Sequence, residues 1–274
     1  GRYDWVDGAI IQCGKVRVQS SHGLGVLDRG IDLSAHPMEG RIADIWVLYR
    51  PEALSVRAFV RLEGGSHENL SISLTDEATR HRLPAKIRFA RHGPDGVCEF
   101  DVAAKGAKVW ALENPALYRL HAAWTSPGGG QSIRSVSFGF RWFAPDGLGR
   151  DALFRLNGRR IKLYSAISWG YWGLNGLWPT PDLAEKEARQ AKALGLNCLN
   201  FHRNVGKDDV FLAQDRLGLL RYMEPGGGKF AVGRMPDGVR ADANSVIRVP
   251  PTDPADIFSQ RFMVAKCVAM VQAF

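Results

Sequence analysis

From about residue 42 to residue 143, apolar and polar side chains alternate one by one. Leu54, Val56, Ala58, Val60 and Leu62 alternate with Ser55, Arg57, Phe59 and Arg61. Leu83, Ala85, Ile87 and Phe89 alternate with Lys86 and Arg88, and Tyr118, Leu120, Ala122 and Trp124 alternate with Arg119, His121 and Ala123. Val136, Phe138, Phe140 and Trp142 repeat the pattern. Successive strand side chains point to opposite faces, so each run has one apolar face and one wet face, as in an antiparallel sandwich. Turn-forming text separates the runs, at Glu63-Gly64-Gly65-Ser66, His92-Gly93-Pro94-Asp95-Gly96 and Ser126-Pro127-Gly128-Gly129-Gly130. The pattern predicts strands near 42–50, 54–62, 69–75, 83–90, 97–103, 117–125 and 132–143, the number and size of an immunoglobulin-like sandwich. No Cys…Trp…Cys spacing accompanies them, which separates this sandwich from antibody domains.

The pattern changes near residue 150. Asn157-Gly158 sits between two alternating arms, Phe154-Arg155-Leu156 and Arg159-Arg160-Ile161, and predicts a hairpin whose turn needs positive φ at both central residues. Thr180-Pro181-Asp182 predicts a helix start, with Thr180 as cap, and Leu183, Glu187, Ala191 and Leu194 fall on related faces before Gly195 ends it. Leu196–Phe201 reads as a short buried strand, Asp208-Asp209 opens a second helix ending at Leu217-Gly218, and Leu219–Met223 is the next strand. Strand–helix–strand–helix–strand with short connections is a parallel α/β unit. Residues 225–252 read as a long Gly- and Pro-rich loop, after which Thr252-Asp253-Pro254 opens a third helix with Phe258, Phe262, Ala265, Val268 and Ala269 on apolar faces. Residues 1–40 read as the trailing end of another element.

Composition narrows the classes. The 274 residues are 45% hydrophobic and 23% charged, which excludes intrinsic disorder and leaves material for two cores. No stretch of about 18 apolar residues could span a membrane, and the chain opens on Gly1 without a basic-then-apolar leader. The net charge of +8 raises the question of a polyanion partner. Its arginines are spread over alternating strand positions rather than gathered in blocks, which favours a solvated basic surface, with anionic substrate groups as the next reading and nucleic acid the least favoured. Cys13, Cys98, Cys198 and Cys267 match neither a zinc pattern nor a disulfide framework, and Cys98 and Cys198 read as small buried hydrophobes. Neither a metal nor a cofactor is expected.

Several stretches, taken in order, resemble the family-2 glycoside hydrolases, the group of β-galactosidases, β-glucuronidases and β-mannosidases. Trp110-Ala111-Leu112-Glu113-Asn114-Pro115-Ala116-Leu117-Tyr118 resembles the family's W-x-x-E-N-P-x-L-Y. Ser137-Phe138-Gly139-Phe140-Arg141 resembles its x-x-G-F-R, and Phe154–Ile161 its F-x-L-N-G-K-x-I. Ala193-Leu194-Gly195-Leu196-Asn197 resembles K-x-x-G-x-N, and Asp215-Arg216-Leu217-Gly218-Leu219-Leu220 resembles D-x-x-G-L-L. The resemblance implies a multidomain chain: residues 1–40 the tail of a sugar-binding jelly roll, 41–143 an all-β immunoglobulin-like sandwich, and 144–274 the beginning of an α/β (β/α)8 TIM barrel, cut before its fourth strand.

It also implies where a sugar would bind. Barrel sites lie at the C-terminal ends of the strands. Trp169 and Trp172 follow the first strand and suit stacking on sugar rings. Asn200, His202 and Arg203 leave the second strand, where a cation could hold a uronate carboxylate through paired hydrogen bonds. Glu224 ends the third strand beside Gly226-Gly227-Gly228, placed to accept hydrogen bonds from sugar hydroxyls; Glu187, on the first helix, reads as remote from the site. The glycine run lacks the strand–GxxxxGK–helix context of a phosphate loop.

The implied activity is hydrolysis of a β-linked glycoside by a retaining two-carboxylate mechanism in a full-length parent. The resemblance implies a general acid/base in an Asn-Glu pair after the fourth barrel strand and a nucleophile after the seventh. No Asn-Glu pair follows residue 150, so both catalytic glutamates are expected beyond this chain, and the chain alone is expected to be inactive. The expected partners are a carbohydrate substrate and the remainder of the same polypeptide, with a homo-oligomer of the parent also compatible. A non-catalytic carbohydrate-binding or scaffold fragment is the alternative. An adhesion module is disfavoured, because it needs no parallel α/β unit. The sugar and the compartment are left open.

Overall fold

In the computed structural model the described residues are 31, 33–50, 54–150, 152–168, 180–201, 208–224 and 254–273. Contacts divide them into two units, one built on Arg29–Leu163 with Asp215–Gly218, the other on Tyr164–Gln214 and Leu219–Phe274.

The first unit contains seven long strands: β1 (Gly40–Tyr49), β2 (Ser55–Gly64), β3 (Leu70–Asp76), β4 (Lys86–His92), β5 (Val97–Ala103), β6 (Tyr118–Thr125) and β7 (Gln131–Phe138). They form a four-stranded sheet in the order β1-β2-β5-β4 and a three-stranded sheet in the order β3-β6-β7, all pairs antiparallel. Lettered by sequence, these are sheets ABED and CFG, the arrangement of a constant-type immunoglobulin sandwich. Val56, Ala58, Val60 and Leu62 are buried, and they join Leu74, Tyr118, Leu120, Ala122 and Trp124 of the facing sheet in one core. Each large apolar side chain so buried contributes about 1.5–3 kcal/mol. The polar tips of the buried rings are bonded: Trp124 Nε1 donates to the Ser66 carbonyl at 2.9 Å, and the Tyr118 hydroxyl accepts from the Lys108 amide at 2.7 Å.

The last strand is shorter than its alternation predicts, ending at Phe138 rather than 143. The cause is Trp110. A Cβ on Gly139 would lie 2.6 Å from the Trp110 Cβ, so the chain passes the indole only as glycine, and Phe140 then makes an isolated bridge with Val109. A small antiparallel sheet follows, β8 (Phe143–Asp146), β9 (Leu153–Leu156) and β10 (Arg159–Arg160), in the order β10-β9-β8. Its β9–β10 hairpin pairs Leu156 with Arg159 across Asn157 (φ 50°) and Gly158 (φ 80°), the turn predicted from Asn-Gly.

The second unit has three parallel strands in sequential order, β11 (Ser165–Ser168), β12 (Cys198–Phe201) and β13 (Leu220–Met223). Helix α1 (Pro181–Ala193) connects the first two and α2 (Asp208–Leu217) the next, and α3 (Pro254–Ala273) follows. Among the described residues this sheet is open, with β11 and β13 at its edges and no closed barrel. Helix α1 starts where predicted, but the Thr180 hydroxyl donates to the Asp182 carboxylate instead of accepting from a backbone amide. That bond, the first of several hydrogen bonds to the group, holds the Asp182 carboxyl below its usual range. The buried stripe of α1 is Ala184, Ala188 and Ala191, whereas Leu194, expected on a related face, is 78% exposed. Gly195 closes the turn at φ +82°. Val264, Val268 and Val271 of α3 are exposed. No helix among the described residues is long and apolar enough to cross a membrane.

Candidate functional site

The parallel register sets the three strand ends level, since Ser168 lies opposite Phe201, and Phe201 opposite Met223. At the other end, Asn197 holds the strands in place. Its Oδ1 accepts from the Tyr164 amide at 2.8 Å, its own amide donates to the Tyr164 carbonyl at 3.0 Å, and its carbonyl accepts from Leu220 at 2.9 Å. The asparagine of the K-x-x-G-x-N stretch is thus a strand-aligning residue at the N-terminal edge.

The two faces of this sheet differ. Phe201 meets Phe211 of α2 edge-on, with centroids 5.2 Å apart, so Phe201 faces the helices. Its register partner Ser168 faces them too, donating from Oγ to Glu187 Oε1 of α1 at 2.7 Å. The alternate row, Ile167, Asn200 and Tyr222, therefore points to the opposite face, and there Ile167 and Tyr222 are 62% and 58% exposed.

Of the six sequence-predicted site residues, Asn200 and Glu224 are described; Trp169, Trp172, His202 and Arg203 lie outside the described residues. Asn200 lies within β12 on the open face, with a buried Oδ1 that has no hydrogen-bond partner. Glu224 directly follows β13 and is half-buried, and its carboxylate makes no hydrogen bond or ion pair with a described residue. Among the described residues no group of three His, Cys, Asp or Glu side chains could hold a metal ion. Cys98 and Cys198 are buried, and burial pushes both thiols up, as suits small core residues rather than nucleophiles.

Glu187, which the sequence reading set apart from the site, lies on the helix-facing side of the sheet. It is half-buried, and it holds the hydroxyl of the last residue of β11, immediately before Trp169 in the sequence. Burial pushes its carboxyl up, the Ser168 hydrogen bond only partly opposing this, and Oε2 is buried without a partner. The signal in the sequence was its place one turn from the buried alanines Ala184 and Ala191, on the same side of the helix.

The motif residues of the first unit gather elsewhere, around the fully buried Trp110. Its Nε1 donates to the Asp215 carbonyl at 2.8 Å, and Arg141 lies over its ring at 4.4 Å while donating to Asp215 Oδ1 at 2.8 Å. Asn157 Nδ2 donates to the Trp110 carbonyl at 2.8 Å, and its Oδ1 accepts from the Trp142 amide at 3.0 Å. Gly218, at φ +75°, would place a Cβ 2.2 Å from the Leu112 carbonyl oxygen. These stretches build a packing node, not a reaction centre.

No family model and no curated protein matches the sequence. Solved structures do match. A β-glucuronidase from Bifidobacterium dentium, complexed with coumarin-3-O-glucuronide, is similar with a TM-score of 0.57 at 18% identity, over 69% of this chain and 31% of its own. A glycosyl hydrolase family 2 member from Bacteroides cellulosilyticus gives 0.54 at 22% identity, over 67% and 26%. A β-glucuronidase from Ruminococcus gnavus in complex with D-glucuronic acid gives 0.52 at 18%, over 68% and 30%. At these identities the likeness concerns the fold. The chain spans less than a third of the length of these structures. The resemblance drawn from the motifs and the likeness of the folds thus meet on the same group of proteins.

Proposed function

We propose that this chain is the sandwich and the first part of the catalytic barrel of a family-2 glycoside hydrolase, whose full-length form hydrolyses a β-linked glycoside with retention of configuration. The observation that supports this most is a conjunction: a sandwich of sheet order β1-β2-β5-β4 over β3-β6-β7 is followed in one chain by a parallel β–α–β–α–β segment, and that chain matches family-2 structures over about two thirds of its length. In this reading β11, β12 and β13 are the first three barrel strands. Glu224, Asn200 and the residues after β11 and β12 contribute to sugar binding at their C-terminal ends. A carboxylate at Glu224 would accept hydrogen bonds from sugar hydroxyls, and Arg203 would pair with a uronate, which makes a β-glucuronide the first substrate to test.

The chemistry requires two further carboxylates about 5 Å apart: one protonates the departing glycosidic oxygen while the other attacks the anomeric carbon, and water then releases the sugar. Both are assigned to the longer polypeptide. The absence of an Asn-Glu pair after residue 150 equally favours a second reading, a non-catalytic carbohydrate-binding or scaffold piece.

The deciding experiment uses the longest natural polypeptide containing these residues, offered aryl β-glucuronide, β-galactoside and β-mannoside, with the first-formed anomer followed by NMR. Turnover with retention is expected, and none from residues 1–274 alone. Binding of the sugars without turnover by the longer polypeptide would favour the second reading. Turnover by residues 1–274 alone would refute the placement of the catalytic pair.

A further inference from the structure

The outer face of the β1-β2-β5-β4 sheet carries a cavity of about 710 Å3. It is lined by Arg50, Lys86, Arg88 and Lys105, by the carboxylate of Asp101, and by Ser55, over a floor of alanines and Leu54. The strand register builds it. Ser55 lies opposite Ala103, which lies opposite Lys86; one row along, Arg57 lies opposite Asp101, which lies opposite Arg88. Val102 and Ile87, between these rows, turn to the core.

Asp101 and Glu99, the described carboxylates of this face beside the cavity, are already engaged. Asp101 Oδ1 accepts from Arg50 and from Arg57 Nε at 3.0 Å, and Glu99 pairs with Arg57 at 3.1 Å and with Arg91. Burial raises the Asp101 carboxyl, but these arginine bonds and charges outweigh it and keep the group below its usual range, ionised and committed. The side chains of Lys86, Arg88 and Lys105 are exposed and make no ion pair with a described residue. Lys86, Arg88 and Lys105 thus gather positive charge around one open depression of the sheet, which attracts anions.

We propose that this cavity binds an anionic oligosaccharide, one carrying carboxylate or sulfate groups, with Lys86, Arg88 and Lys105 pairing its charges. The lining discriminates among polyanions. Among the described residues no aromatic ring lines it, so these supply no stacking platform of the kind by which single-stranded nucleic acid is held. Its Ser55 hydroxyl lines the same space as the cations, and a hydroxyl can bond sugar hydroxyls, which a bare phosphate chain does not offer. The site lies on the sandwich sheet and is independent of the glycosidase reading, because its readout is binding and not turnover.

The test measures the affinity of the longest natural polypeptide for a heparin-derived hexasaccharide, an oligogalacturonate of similar length, a single-stranded oligonucleotide and a polyglutamate peptide, at several salt concentrations. At least one saccharide should bind best, with an affinity that falls as salt rises. The Lys86→Gln/Arg88→Gln double variant should weaken that binding by roughly two- to thirty-fold, the range for two exposed ion pairs. Arg134→Gln, on the other sheet, should leave it unchanged, and circular dichroism should be the same for all three proteins. Preference for the hexasaccharide over the oligogalacturonate identifies sulfate as the recognised group, and the reverse identifies carboxylate. Equal or tighter binding of the oligonucleotide or the peptide, equal affinity of the double variant and wild type, or no binding of either saccharide would each overturn the proposal.

Discussion

The sandwich and the parallel segment treat buried polarity differently. In the sandwich the polar ends of Trp110, Trp124 and Tyr118 each meet a backbone partner at 2.7–2.9 Å. Among the described residues of the parallel segment, Gln214 is fully buried with neither amide atom bonded, and Asn200 Oδ1 and Glu187 Oε2 are likewise without partners, whereas in the sandwich Arg61 Nε is the comparable case. A buried polar atom left unbonded costs about 1–3 kcal/mol. The core materials differ as well: aromatic and branched residues fill the sandwich, while alanines line α1 and Ile167 and Tyr222 are exposed on the other strand face. The lesson is that the two units are finished to different degrees. Among the described residues, the sandwich bonds the ends of its buried rings and leaves Arg61 Nε, and the parallel segment leaves more buried polar atoms and an exposed strand face.

The strongest way to break this contrast is to attack the finished unit at its node. Trp110→Ala removes a fully buried indole together with its bond to Asp215 and its stacking under Arg141. The expected loss is about 3–5 kcal/mol, read as a large drop in the thermal midpoint by circular dichroism. A shift of only a degree or two would show that the node is not what holds the first unit together.

Glu224→Gln probes the unfinished unit. If the residue bonds sugar hydroxyls in the proposed full-length glycosidase, its specificity constant should fall by about ten- to several-hundred-fold, with the melting temperature nearly unchanged. Intact kinetics with a melting temperature several degrees lower would make it a structural residue instead.

The smallest expected effect is at Glu187. Its carboxyl is raised by burial, so the native state prefers it protonated. The associated stability is fully present below the ordinary carboxylate range and is lost as pH rises through the raised native value. Glu187→Gln keeps an acceptor for Ser168 and removes the charge, so it should flatten this part of the stability–pH curve and leave the protein no less stable at neutral pH. A curve that keeps its slope in the variant would place the titrating group elsewhere.

The sequence made the sandwich legible because alternation is local. Strands β2, β5 and β6 fall within a residue or two of their predicted limits, and Asn157-Gly158 makes the predicted turn. What was not legible is non-local. Trp110 meets Asp215 across 105 residues and Asn157 across 47, and no periodicity announces such a meeting. The Glu187 contact was not legible for the same reason: it is made with Ser168, 19 residues away on a strand. The Thr180 cap failed on a local competition, since the neighbouring Asp182 carboxylate takes the backbone amides of Asp182 and Leu183 that the hydroxyl oxygen would have accepted from.

One detail of the Trp110 node bears on how this protein ages. An asparagine followed by glycine is the pair most prone to deamidation, because the small neighbour lets its amide nitrogen reach the side-chain carbonyl carbon and close a succinimide ring. Here both ends of the Asn157 amide are held, Nδ2 on the Trp110 carbonyl and Oδ1 on the Trp142 amide, so the side chain is not free to swing toward Gly158. The same two bonds that orient the hairpin therefore act as a chemical preservative. Conversion to aspartate would replace a donor with an oxygen facing another carbonyl oxygen, so the damage, once done, would oppose its own refolding. The mass of the peptide containing Asn157 thus becomes a clock for time spent unfolded.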